Sequence, residues 1–191
     1  MNTRAQSGFL FFGVLAALIL GFLLWGISQY NRVVAMDEAV DAQWAQVENQ
    51  LKRRFDLIPN LIETVKGYAK HEKELLENIA KARTWYFQAG SRTGKIKEIK
   101  KFESALSRLL LLREAYPELK ADASFLKLQD SLEGTENRIA VERKRYNDKV
   151  RELNTYIRSF PGRFIAAFAG IEPAQYYEVD EEQQKNPTVK F

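Results

Sequence analysis

The chain of 191 residues has no cysteine, one histidine and two methionines, and these absences close off several kinds of chemistry at once. Without thiols there are no disulfides, no thiolate metal sites and no sulfur nucleophile. A cysteine-free chain is compatible with either side of a membrane, so the compartment is left open. The single histidine, His71, has Tyr68 three residues before it, so the Glu-x-x-His pairs of a di-metal helical bundle are missing. His71 and Glu72 begin the zinc-protease pattern, but Leu75 stands where the second histidine belongs. As an isolated residue on a helix flank, His71 is read as a surface or half-buried group.

No strand pattern is visible, and no glycine-rich phosphate loop follows one. The segment Gly90, Ser91, Arg92, Thr93, Gly94 lacks both the length and the Lys-Ser/Thr ending of a P-loop. Ser104 and Ser107 have no glycine elbow and lie on a different expected helix from His71. Glu181 and Glu182 fall in an expected tail, where nothing would hold their geometry. The sequence therefore assigns no catalytic, cofactor-binding or metal-ligating residue, and no enzymatic activity, cofactor or small-molecule substrate is expected.

Charge is also missing over one long stretch: from Phe9 to Ile27 no residue is ionisable. At about 1.5 Å per residue this gives roughly 28 Å of apolar helix, enough to cross a bilayer. Gly8, Gly13, Gly21 and Gly26 are compatible with a membrane helix, and Trp25 stands where an interfacial aromatic would anchor its far end. The competing reading is a cleaved signal peptide, with small residues at Gly26 and Ser28. The uncharged core is longer than a usual signal h-region, which favours a retained anchor. Arg4 and the terminal amine against Arg32 lean towards a cytoplasmic N-terminus, with the body outside.

The net charge is +4, and Arg4 is the only charged side chain before Arg32, leaving +3 for the rest. Acids and bases are interspersed, which does not point to nucleic acid. The local basic clusters are Lys52, Arg53, Arg54; the group from Lys95 to Lys101; and Arg143, Lys144, Arg145. Each has acidic neighbours and reads as a solvated helix face, with lipid headgroups as a partner for a cluster near the membrane.

What the chain does have is helical periodicity. Val33, Val40, Trp44, Val47 and Leu51 recur in steps of seven, four, three and four. With no proline or glycine between Ile27 and this pattern, the membrane helix is expected to run into it as a stiff stalk. Asp56 and Pro59 read as the start of a new first turn, so a second helix is expected to restart near Leu57 and fade between Tyr86 and Gly94. A third, from Ile96 to Leu110, should end before Pro117. The fourth and longest carries Phe125, Leu132, Ile139, Tyr146, Val150, Leu153 and Ile157, stops at Pro161 and Gly162, and could reach about 50 Å.

Thr135 and Glu142 on that stripe, and Glu72 on the second helix, are polar where apolar residues would be preferred. Either they join a buried network that fixes register, with Arg54, Arg138 and Arg143 available as donors, or the stripe drifts to the surface there. The network is the preferred reading, with Arg54 as an internal donor and Lys52 and Arg53 left to solvent or a partner. Trp85, Tyr86 and Phe87 are adjacent, so at least one points outwards. Residues 164–171 are apolar but too short to cross a membrane, and are expected to pack across a bundle end. Residues 175–191, acidic at Glu178, Asp180, Glu181 and Glu182, are expected to be mobile or loosely docked.

Longer motifs resemble the LemA family. They are Tyr30, Asn31, Arg32, Val33, Val34; Trp44; the run from Leu51 through Arg54, Phe55, Asp56 and Pro59 to Leu61; Val65, Lys66, Gly67, Tyr68; and His71, Glu72. Glu114, Ala115, Tyr116, Pro117; Thr135 to Ile139; Tyr146, Asn147; Phe160, Pro161; and the closing Pro187, Val189 and Phe191 continue the match. Phe55 for the commoner tyrosine, Gly162 and Arg163 after Pro161, and Tyr177 where phenylalanine is frequent are departures. The resemblance implies a bacterial protein with one N-terminal membrane helix, a four-helix antiparallel body and no established activity. It also implies a short extracellular N-terminus, opposite to the charge count, while lipoprotein-type N-termini in some relatives favour an extracytoplasmic body.

The expected architecture is all-α: a short N-terminus and membrane anchor at 1–28, an antiparallel four-helix bundle of long helices at 29–160, and an apolar segment with acidic tail at 161–191. The expected function is a membrane-anchored interaction or scaffold protein in the bacterial inner membrane, held by residues 9–27 and engaging a protein partner or itself. The alternative is a lipid-binding or membrane-remodelling protein acting through basic clusters and exposed aromatics.

Overall fold

Apolar side chains spaced three and four apart become the buried faces of helices in the computed structural model, which describes residues 3–178, with side chains from Phe12 onwards. The helices are α1 (Thr3–Tyr68), α2 (Lys73–Gln88), α3 (Arg92–Ala115), α4 (Pro117–Ala121), α5 (Ala123–Arg158) and α6 (Gly162–Ala169). No strand occurs among the described residues. The expected side-chain roles of Arg4 and Phe9, and of Asp180, Glu181, Glu182, Pro187, Val189 and Phe191, lie outside the described residues.

The apolar N-terminal segment does run unbroken into the next helical pattern, but the restart near Leu57 does not occur. α1 passes straight through Pro59 and ends at Tyr68. Proline inside a helix removes one backbone hydrogen bond and crowds the preceding turn. Here Pro59 lies on the exposed side, while Leu51, Phe55, Ile58, Leu61 and Val65 are all buried on the other. Burial of that stripe, at about 1.5–3 kcal/mol per large side chain, outweighs the single local defect. The corner falls instead at residues 69–72, where the Tyr68 hydroxyl donates to Asp122 (2.8 Å) and the Tyr116 hydroxyl to Glu72 (3.3 Å).

The other boundaries follow local chemistry. Ser91 caps α3 by accepting from the Gly94 N–H at 3.1 Å, and Asp122 accepts from the Phe125 N–H at 2.7 Å at the start of α5. Pro117 opens α4 in a first-turn position that needs no N–H. Gly170 closes α6 in the left-handed region at φ 70°, a conformation that glycine adopts without a Cβ clash.

Two compact units are built from these helices, one from residues up to 42 with 148–174, the other from 43–147 with residues from 175 on. In the second, α2 packs on α3, and the Phe55 ring of α1 lies 4.8 Å from Tyr86 of α2 and 4.7 Å from Phe102 of α3. Trp44 meets Tyr146 of α5 edge-on at 5.2 Å. In the first unit, Val33 and Val40 of α1, Val150 and Leu153 of α5 and Ala166 of α6 are buried. There the Tyr156 hydroxyl donates to the Gln29 carbonyl at 3.3 Å and the Arg32 guanidinium lies over its ring at 5.4 Å.

The segment after Gly170 is held more firmly than expected as far as it is described. In the first unit the Asn154 carboxamide pairs with both backbone groups of Ala174, each at 2.9 Å. In the second, the Asn147 carboxamide does the same for Tyr177: its Nδ2 donates to the carbonyl at 3.0 Å and its Oδ1 accepts from the N–H at 2.9 Å. Tyr177 is buried, so these backbone groups have no water to fall back on. Asn147→Ala is expected to lower the unfolding free energy by about 1–3 kcal/mol, the cost of leaving buried polar groups unpaired. A urea midpoint equal to the parent's would show that the clamp contributes nothing.

Candidate functional site

The first candidate is the apolar face of α1. This is a helix long and apolar enough to cross a membrane, and no residue of its most apolar window is buried. Phe12, Leu18, Phe22, Leu24 and Ile27 face outwards, an arrangement that water penalises and hydrocarbon does not. Trp25 and Tyr30, both partly exposed, stand at the end of this run, in the position of interfacial anchors.

The second candidate is a polar cluster in the second unit. Arg54 is only 7% exposed, and its Nη1 donates to Glu136 of α5 and stands 4.0 Å from Glu103 of α3. The Tyr177 hydroxyl donates to Glu103 at 3.1 Å, and the Arg143 guanidinium lies 5.5 Å over the Tyr177 ring. Burial pushes the Glu103 carboxyl above its ordinary value, helped by the Glu136 charge and opposed by Arg54. Burial likewise raises the Tyr177 phenol, with the Glu103 charge adding to it. Arg54, Glu103 and Glu136 border a cleft of about 360 Å³ that also includes Ser107, Gln129 and Glu133. With the Arg54 guanidinium set between the carboxylates of Glu103 and Glu136, the arrangement can fix which turns of α1, α3 and α5 face one another. Among the described residues no group of three or more His, Asp or Glu side chains is placed to hold a metal ion.

The sequence-derived residues divide between these places. Arg54 is the internal donor expected of it, but its partners are Glu136 and Glu103, not the seam residues Thr135, Glu142 and Glu72. Glu142 accepts from Gln43 (2.6 Å) and Arg145 (2.8 Å), Thr135 bonds within its own helix to the Leu132 carbonyl, and Glu72 takes the Tyr116 hydroxyl. Each basic cluster spends at least one cation internally: Arg54 on Glu136, Lys95 on Glu48, and Arg145 on Glu142. Lys52 and Arg53 are exposed. Of the aromatic run, Tyr86 is buried while Trp85 and Phe87 face out. The Tyr86 hydroxyl, raised by burial and by the Glu48 charge, donates to Glu48 at 3.4 Å. His71 lies exposed in the turn between α1 and α2. Asn147 and Asn154 were missed as backbone clamps; their signals are two carboxamides seven residues apart beside the buried stripe of α5 and, for Asn147, its place in the Tyr146, Asn147 motif.

The chain is similar to several known proteins. Magnetosome protein MamQ 2 of Paramagnetospirillum magneticum is 24% identical over 186 residues, covering 84% of this chain and 68% of its own length. Magnetosome protein MamQ 1 of the same organism gives the same figures. Magnetosome protein MamQ of Magnetospirillum gryphiswaldense is 23% identical over 185 residues, covering 83% and 68%. The sequence profile of the LemA family matches residues 43–191, which takes in the polar cluster, the Asn147 clamp and the exposed aromatics. The chain belongs to the LemA family.

Proposed function

We propose that this protein is a single-pass, membrane-anchored helical scaffold without catalytic activity. Residues 9–27 hold it in the bacterial inner membrane, residues 29–160 work as an antiparallel four-helix bundle on the extracytoplasmic side, and the bundle surface takes a protein partner or a second copy of the chain. The observation that carries this reading is the pair of exposed aromatics on α2, Trp85 and Phe87, 47% and 52% exposed on either side of buried Tyr86. Tryptophan and other aromatics are enriched at the centres of protein interfaces because they bury much surface with few torsions to freeze. Lys101 lies over the Trp85 ring at 5.3 Å and Arg83 over Phe87 at 5.5 Å, and both rings stay about half exposed. None of the three relatives' names denotes a reaction.

A photo-crosslinking amino acid at position 85, in full-length protein in native membranes, tests the scaffold. One discrete adduct is expected, either to a single protein or to the chain itself, and the same probe at exposed Lys127 of α5 should not give it. Absence of any discrete adduct at position 85, or the same adducts at both positions, would overturn the reading.

The lipid-directed alternative is favoured by a different observation, the outward phenylalanines of α6.

A further inference from the structure

α6 is an eight-residue helix with two unlike faces. Gly162 and Ala166 are buried, so one side is seated within its unit. On the other side Phe160, just ahead of the helix, Phe164 and Phe168 recur every four residues and are 85%, 67% and 87% exposed. Three large aromatics in one outward row exceed the scattered apolar residues that a water-facing surface carries.

The neighbour of this row within the same unit is the end of the apolar run of α1. The Phe168 ring lies 6.3 Å from Tyr30, and Phe164 and Phe168 share with Phe22, Leu23, Gly26 and Ile27 an open apolar groove of about 510 Å³. The outward face of α6 is thus continuous with the exposed surface of the anchor. It lies beside the turns where apolar sequence gives way to Ser28, Gln29, Asn31 and Arg32. Arg158 and Arg163 are exposed at either end of the Phe160 turn, placed to meet lipid phosphates.

We propose that α6 is a bilayer-interface helix, with Phe160, Phe164 and Phe168 inserted among lipid acyl chains beside the last turns of the anchor. The occupant of the groove is lipid, because half of its wall belongs to the anchor itself: once residues 9–27 are in a bilayer, acyl chains and headgroups already surround that wall. A short amphipathic helix at this depth buries its apolar face about 5–10 Å into the headgroup–acyl boundary. The inference rests on the anchor reading of α1 and goes beyond the scaffold proposal, since it assigns a second membrane contact contributed from more than 130 residues further along the chain.

The absence of cysteine makes a direct test available. Single variants Phe164→Cys, Phe168→Cys, Leu20→Cys and Lys127→Cys of the full chain would each carry one environment-sensitive fluorophore in phosphatidylcholine–phosphatidylglycerol nanodiscs. Quenchers are attached near the head of the acyl chain, near its end, or dissolved in the water as iodide. Labels at 164 and 168 should be quenched roughly twofold more by the shallow lipid quencher than by the deep one, the label at 20 the reverse, and the label at 127 by iodide alone. If 20 reads as bilayer while 164 and 168 read like 127, the α6 proposal fails and the anchor reading stands. If 20 also reads as water, the anchor reading fails first. Labels at 164 and 168 protected from every quencher would mean that protein covers the row, which also overturns the proposal. Should far-UV circular dichroism show lost helicity in either α6 variant, Phe160→Cys, ahead of the helix, takes its place under the same criteria.

Discussion

Arg54→Met is expected to lower the unfolding free energy by about 3 kcal/mol, because it removes the cation from a buried cluster and leaves its carboxylates behind. The methionine preserves much of the arginine stem, so the loss reports on charge and hydrogen bonding more than on packing. Glu136 is 42% exposed and can turn to water, whereas the Glu103 side chain is 12% exposed and cannot. The double variant Arg54→Met with Glu103→Gln should therefore recover a substantial part of the loss. A single variant as stable as the parent would show that the cluster has no role in holding α1 to α3 and α5.

The same variant carries a pH signature. Glu103 already sits above its ordinary value through burial, and deleting Arg54 removes a charge that pulls it down. A carboxyl whose folded pKa exceeds its unfolded one binds more protons folded than unfolded, so stability rises as pH falls through the folded pKa towards the unfolded one. Arg54→Met should thus lose less stability, relative to the parent, at about pH 5 than at about pH 8. Arg54→Met with Glu103→Gln should not show that difference.

Gly162→Ala is the other large effect expected, about 3 kcal/mol, at the upper end of the usual cost of overfilling a packed site. A Cβ at position 162 would stand 2.1 Å from the Tyr156 carbonyl oxygen and 3.0 Å from its carbonyl carbon and ring Cδ1. Backbone atoms of α5 cannot rotate away as a flexible side chain would. The helix must shift or lift, so hydrogen exchange over residues 162–169 should accelerate along with the fall in midpoint. Gly134 in α5 is the control: nothing lies within 4 Å of its would-be Cβ. Gly134→Ala should stabilise by about 0.5–1 kcal/mol through helix propensity alone. Unchanged exchange and midpoint in Gly162→Ala would mean that α6 is not seated by this close approach.

Position 162 also illustrates how far the chain can be read as letters. In the sequence Gly162 reads as a helix stop and as a departure from the LemA motif; the Tyr156 carbonyl beside it is what requires a residue without a side chain. Asp56 and Pro59 misled in the opposite direction. They are good local start signals, yet a stripe of apolar residues through Leu61 and Val65 is buried by partners far along the chain, and a local signal worth about a kilocalorie cannot outweigh it. The corner sits where Asp122 and Tyr116 fix Tyr68 and Glu72, contacts that no window of adjacent residues contains. The docking of Tyr177 was hidden for the same reason, since a tyrosine in an acidic stretch reads as tail until Asn147 is found opposite it.

The sequence by itself determined the all-helical class, the long apolar N-terminal helix, the ends near Pro117 and Pro161, and the internal role of Arg54, because periodicity, uncharged length and backbone chemistry are properties of neighbouring residues; α3, expected from Ile96, begins at Arg92, where the Ser91 cap starts it inside the expected loop. Tertiary structure alone decided which carboxylates Arg54 meets, that α1 continues past Pro59, that Asn147 and Asn154 hold the returning chain, and that the phenylalanines of α6 face outwards beside the anchor. Each of these depends on residues brought together from distant parts of the chain, whose summed burial and pairing outweigh any single local preference.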